Sequence, residues 1–242
     1  MTDAATGVLA PWHPITRDFG LINASPQQVL AAFTAWQSGI GSSYTRRTIE
    51  TSLADAFAAL PPLSMERRRL LFVATAAGWT AFFAGGIQGS DPAPVMAHLA
   101  REMSVQAMRV CATPADAMYP AVIWEVYAPP ALGGTPPLGI RRTIAAANDG
   151  GKWVFEQSGE PFAFERTEDY GARRVRERFR RDMLAAYLAE FGLHPFDEGF
   201  YVVDAAHPVV LVERERRWTT PPPEFTLAEV VAGKPWQRTS RG

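Results

Sequence analysis

The chain is poor in the side chains that most often carry chemistry. Its 242 residues include one cysteine, two lysines and four histidines. With Cys111 alone, no disulfide can close within the chain and no thiolate metal cluster can be assembled. That usage suits a reducing compartment. His13, His98, His194 and His207 form no H-x-x-x-H or H-E-x-x-H pair, so no metal is expected. No G-x-S-x-G elbow positions a serine nucleophile. Charge of one sign is lacking too. The 24 basic and 25 acidic side chains leave a net charge of -1, with no long-range pull toward nucleic acid or an anionic membrane.

Hydrophobic residues make up 47% of the chain and charged residues 20%, enough to bury a sizeable core and too apolar for a disordered chain. The composition is skewed toward 38 alanines and 22 arginines, which reads as the codon bias of a GC-rich genome. Met1 to Pro11 has no basic residue and no apolar run, so it does not read as a signal peptide. Leu70 to Gln88 is uncharged and follows Arg67-Arg68-Arg69, which matches the length and flank of a membrane span. Thr75, Gly78, Trp79, Thr80, Gly85 and Gly86 dilute it, and two buried strands turning at Ala76-Ala77-Gly78 fit better. The expectation is a cytoplasmic protein with no membrane segment.

Local signals place further elements. Ser25-Pro26-Gln27-Gln28 opens a helix with a capping box, and Val29, Leu30, Phe33 and Trp36 form its apolar stripe. A β segment covers Tyr44 to Thr51. Ser52 starts a short helix with Leu53, Phe57 and Leu60 on one face. A third helix is predicted over Pro92 to Met103, capped by Asp91, with Val95, Leu99 and Met103 inward. Gln106–Thr113, Ala121–Tyr127, Ile140–Ala147 and Lys152–Gln157 read as strands, the last two joined by a turn containing Asp149-Gly150. Pro161 to Glu165 is expected as one more strand. The periodicity then predicts a long helix from Thr167 to Phe191, followed by a strand pair, Gly199–Asp204 with Val209–Arg214. The fold class is α+β, an antiparallel sheet built from hairpins with three or four packed helices. Residues 1–217 form one domain, with the Pro/Gly-rich loop 128–139 as a candidate subdivision. Residues 218–242 form a Pro-rich tail packed on it, pinned by Trp218 and Trp236.

Candidate functional residues are few. Gly85–Gly89 sits between a strand and a helix, as a phosphate loop would. It lacks the P-loop lysine and the G-x-G-x-x-G spacing, and Asp91 puts a carboxylate where an anion would bind. A structural turn is the simpler reading, and no cofactor is expected. Cys111, between Val110 and Ala112, reads as core. Glu125 falls on the strand face opposite Val122, Trp124 and Val126, which reads as a solvated face. On the long helix, Arg174, Arg178 and Arg181 recur at i, i+4 and i+7, with Glu177 and Asp182 as partial partners. A solvated helix face is the simpler reading of this stripe; in the functional reading these three are the candidate contacts for an acidic protein partner.

The segments Ser25-Pro26 through Trp36, Gly78-Trp79-Thr80-Ala81-Phe82-Phe83, Gly89-Ser90-Asp91-Pro92 and the tail Phe225–Gly233 with Trp236 resemble uncharacterised bacterial proteins of the toxin-immunity type. That resemblance implies a non-catalytic binder of a cognate toxin, and it assigns no functional residue. The leading expectation is therefore a protein-binding, immunity-like factor. The alternative is an enzyme with a pocket near Gly85–Asp91 that uses Asp91, His98 or Glu125 in acid–base chemistry.

Overall fold

A computed structural model of the chain describes residues 7–148, 150–215 and 219–237. In chain order the elements begin with β1 (Asp18–Ile22), α1 (Pro26–Gly39), β2 (Ser43–Ile49), α2 (Leu53–Ala58), β3 (Arg69–Thr75), β4 (Thr80–Ala84) and α3 (Ala93–Met103). The strands β5 (Ala107–Ala112), β6 (Ala121–Tyr127), β7 (Ile140–Asn148) and β8 (Trp153–Ser158) follow. Then come α4 (Arg181–Ala189), β9 (Tyr201–Val202), β10 (Val209–Glu215), α5 (Leu227–Val231) and α6 (Lys234–Gln237). The ten strands form one antiparallel sheet in the order β2-β10-β3-β4-β1-β5-β6-β7-β8, with β9 pairing with β3 off that path. This is a mixed α and β architecture, with six α-helices among the described residues. Among those residues no helix is long and apolar enough to cross a membrane.

The two faces of the sheet are covered differently. Phe19, Leu21, Leu71, Val73, Ala81, Phe83, Val110, Trp124 and Ile144 point to one face and join α2, α4 and the segments around them in the larger core. Ile22, Leu70, Phe72, Phe82, Ala107 and Tyr127 point to the other, under α1 and α3. The period-2 alternation explains why β3 and β4 read as unbroken apolar runs: both of their faces are buried. Helix α1 starts as its sequence dictates. The Ser25 Oγ accepts from the Gln28 N–H and the Gln28 Oε1 accepts from the Ser25 N–H, the two halves of a capping box. Ser52 caps α2 with its side chain alone, its Oγ accepting from the Asp55 N–H at 3.0 Å.

Several expectations fail. Residues 167–191 are not one helix. They break into short 3-10 turns at Thr167–Gly171 and Val175–Glu177, followed by the nine-residue α4. The apolar residues do recur at helical spacing, but the Arg178 Nε reaches back to the Ala172 carbonyl at 2.9 Å, closing a loop where a straight helix would run. Pro161–Glu165 is a turn that delivers Glu165 to the core, not a strand. Strands β9 and β10 do not pair with each other. Both run antiparallel to β3 along the same side of it, interrupted by the excursion 203–208. The hairpin β7–β8 forms as predicted, though Asp149 of its turn lies outside the described residues, as does Trp218. The loop 128–139 joins β6 and β7, which are neighbours in the sheet. Phe225 bridges to Leu63 by two backbone bonds of 2.7 and 2.9 Å, and Glu224 pairs with Arg68, so this part of the tail lies against the segment before β3.

The covering layer on the larger core is tied down by one buried ion pair. Arg142, on β7, has the same parity as Ile144 and Ala146 and therefore points into the core. All five of its N–H groups find acceptors: both oxygens of Glu165, the Gln157 Oε1, and the carbonyls of Ser158 and Gly159, at 2.6–3.2 Å. Glu165 also accepts from the Phe162 N–H and the Tyr170 hydroxyl, and Tyr170 bonds Tyr187 of α4 at 3.1 Å. Beside this network Trp124 is ringed by Phe162, Phe164, Tyr187 and Phe191, with centroids 5.7–6.4 Å away.

The Gly85–Asp91 loop is a packed turn. The N–H groups of Gly85, Ile87 and Ser90 donate to the carbonyls of Arg69, Ser64 and Asp18. The Ser90 Oγ accepts from the Ala84 N–H at 2.9 Å and donates to the Ile15 carbonyl at 3.0 Å. Asp91 does not cap α3. Pro92 is the N-cap without a side-chain bond, and Asp91 sits at φ +44° facing Arg67. A Cβ at Gly86 would run into the Gly89 carbonyl oxygen, which is backbone and cannot swing away. Gly86→Ala should therefore cost about 1–3 kcal/mol of stability by chemical denaturation. Gly39→Ala, facing open space at the end of α1, should cost nothing.

Candidate functional site

The polar residues considered for acid–base chemistry are distributed among three settings. Glu125 is not on a solvated face. It lies across β5–β6 from Arg109, with which it is in register, and its side chain is largely covered. Arg109 grips Asp18 of β1, Nε to both carboxylate oxygens at 2.9 and 3.2 Å and Nη2 to one of them at 2.7 Å. It also stands 3.6 Å from Glu125. The Tyr127 hydroxyl donates to Glu125 at 2.7 Å. Asp18, Arg109, Glu125 and Tyr127 thus form one line across β1, β5 and β6, on the face that α3 covers in part.

The electrostatics follow from burial. Desolvation raises the Asp18 carboxyl above the usual carboxylate range, Arg109 opposes the rise, and Asp91 and Glu125 add to it. Burial also works against the charge on Arg109, but the bonds from Asp18 outweigh it and hold the guanidinium charged. These two tendencies pull the pair in opposite directions. The bidentate geometry decides in favour of an ionised pair at neutral pH. Desolvation and then Glu125 push the Tyr127 hydroxyl well up, so it stays a donor. Cys111, buried beside Asp18, has its thiol pushed up by burial first, which leaves it unreactive.

Asp91 and Glu125 both lie near enough to Asp18 to act on it. His98 is not one of this group. Its ring stacks on Trp36 of α1 at 3.9 Å, and its charged neighbours are Arg101 and Glu102. Asp91 pairs with Arg67 at 3.1 Å and Glu125 with Arg109, so the three residues proposed for acid–base work each have a different partner. Sequence reasoning missed Asp18 and Arg109. The signal was parity: in β1 and β5 each falls on the strand face shared with a buried apolar residue, Ile22 and Ala107 respectively.

The three arginines proposed as partner contacts sit on different elements. Arg174 precedes the Val175–Glu177 turn and is exposed. Arg178 follows that turn, bonds the Ala172 carbonyl and lies over the Phe155 ring at 5.8 Å. Arg181 opens α4 and lies over the Phe196 ring at 4.4 Å. The partner of Asp182 is Arg180, not Arg178. Arg181 also lines a small cavity of about 10 Å³ with His13, Thr16 and Phe196, which is room for one water.

No family model matches the chain, and neither a curated protein nor a solved structure matches it.

His13 yields a pH prediction. Burial first, then Arg17 and Arg181, push its pKa from the ordinary 6.5 down to about 4. Between those values the unfolded chain binds the proton more readily than the folded one, so stability is lost as pH falls from about 6.5 to 4. Chemical denaturation at pH 7 and pH 4.5 should show a larger loss for wild type than for His13→Gln. Equal losses would remove His13 from the account.

Proposed function

We propose that this protein works by binding another protein through the loop between β6 and β7. The supporting observation is the combination of exposure and rigidity in residues 129–139. Leu132 and Leu138 are 51% and 54% exposed, beside exposed Pro130, Pro136 and Pro137. The loop is nevertheless fixed. Six backbone bonds of 2.8–3.1 Å cross it, from the N–H groups of Ala128, Leu132, Gly133, Gly134, Thr135 and Gly139. Gly134 packs so closely on the Ala128 carbonyl that no side chain fits there. Apolar surface held on a rigid loop binds without the entropy cost of ordering it.

The resemblance to toxin-immunity proteins names a toxin as the class of partner. The segments that carry it are a helix cap, the β3–β4 turn with β4, the packed Gly85–Asp91 loop and the tail around α5, where Val231 and Trp236 are exposed. The proposal rests on the β6–β7 loop rather than on them. Arg174 is exposed and remains a candidate contact at a second surface, while Arg178 and Arg181 are engaged within the fold.

The test is capture from the native host, with wild type and the Leu132→Asp/Leu138→Asp double variant as baits, quantified by mass spectrometry. Exposed substitutions of this kind should leave stability within about 0.5 kcal/mol. The expected result is that the protein enriched by wild type drops by about tenfold or more with the variant. Equal enrichment with both baits contradicts the reading.

A further inference from the structure

The two edges of the sheet are not equivalent. Strand β8 has the Val175–Glu177 turn packed against it, with Arg178 over its Phe155 ring. Strand β2 pairs with β10 on one side, and among the described residues no strand pairs with it on the other. Its seven residues are exposed or half-buried throughout. Alternate residues therefore turn their N–H and C=O groups outward, an open ladder seven residues long. Thr45 and Thr48 supply β-branched residues, and neither a proline nor a glycine interrupts the strand.

The side chains say which occupant that ladder suits. Arg46 is in register with Val212, whose side chain belongs to the core under α1. Arg47 is in register with Leu211, which belongs to the opposite core. The middle of the edge thus carries one arginine on each face of the sheet. Neither forms an ion pair among the described residues. Self-pairing by an antiparallel two-fold centred on Arg46 would set Arg46 against its own copy, which like-charge repulsion disfavours. Glu50 follows one end of the strand and Glu215, in register with Ser43, stands at the other. Acidic residues are therefore welcome at the centre and opposed at the ends.

We propose that β2 is a docking edge for an extended, acidic segment of another protein, which adds to the sheet as an eleventh strand. Successive side chains of an added strand point to opposite faces. Two consecutive carboxylates at its centre would therefore meet Arg46 on one face and Arg47 on the other, while backbone bonds to β2 supply the rest of the affinity. This surface lies at the far end of the strand order from the β6–β7 loop, so the two proposals stand or fall separately.

The test is a random dodecapeptide library displayed on phage and panned on the intact chain. Enriched peptides are synthesised and titrated by fluorescence anisotropy, and their contacts are mapped by amide chemical shifts. The expected peptides carry two adjacent Asp or Glu residues flanked by β-branched ones and perturb the amides of residues 43–49. They weaken about tenfold or more on Arg46→Glu/Arg47→Glu. They weaken less on Arg46→Gln/Arg47→Gln, which serves as the milder variant should charge reversal impair folding. No enrichment, peptides without acidic pairs, unchanged affinity for both variants, or shifts elsewhere would each overturn the proposal. So would sedimentation showing that a second copy of the chain occupies this edge, or a single-stranded RNA that displaces the peptides from it.

Discussion

The covering layer of the larger core depends on a charge that the core could not otherwise hold. Arg142 and Glu165 are essentially without solvent contact. An ion pair in that position is tolerable only when its remaining hydrogen-bonding groups are met, because desolvation costs several kcal/mol per ion. Here every N–H of Arg142 has an acceptor, and Glu165 takes two further donors. The consequence is long-range order. Strand β7, the end of β8, the turn that carries Glu165, Tyr170 and α4 are joined by one hydrogen-bonded chain. The aromatic rings around Trp124 fill the space that this chain encloses.

The Asp18–Arg109–Glu125–Tyr127 line is a second case of the same physics, with a different degree of burial. It also crosses strands distant in sequence, and its groups also answer one another. Both networks place paired charge inside the sheet layers. The two surfaces proposed for recognition are at the margins: a rigid apolar loop between β6 and β7, and an open strand edge at β2. Their chemistries are complementary, one apolar and one cationic.

What the sequence made legible was local. The capping box at Ser25, the helix start at Ser52, the β3–β4 and β7–β8 hairpins and the core role of Cys111 each depend on residues within a few positions of one another. The long helix was misread because Val175, Phe179 and Met183 do recur at helical spacing. What marks the break is the tertiary bond from the Arg178 Nε to the Ala172 carbonyl. The position of β10 between β2 and β3 has no local signature, since pairing partners more than 100 residues apart are chosen by burial of whole faces. The two ion-pair networks left a faint trace. Arg142 and Asp18 are charged residues at core parity, each sharing its strand face with buried apolar residues, and such a charge implies a partner whose identity only the fold supplies.

Native-state hydrogen exchange on Arg142→Met tests the central claim most directly. The substitution keeps the apolar stem and leaves Glu165 without its cation. The account predicts that amides of residues 161–191 lose protection by orders of magnitude, while α1 and α3 on the opposite face keep theirs. Uniform loss across both faces, or unchanged protection in 161–191, would contradict it.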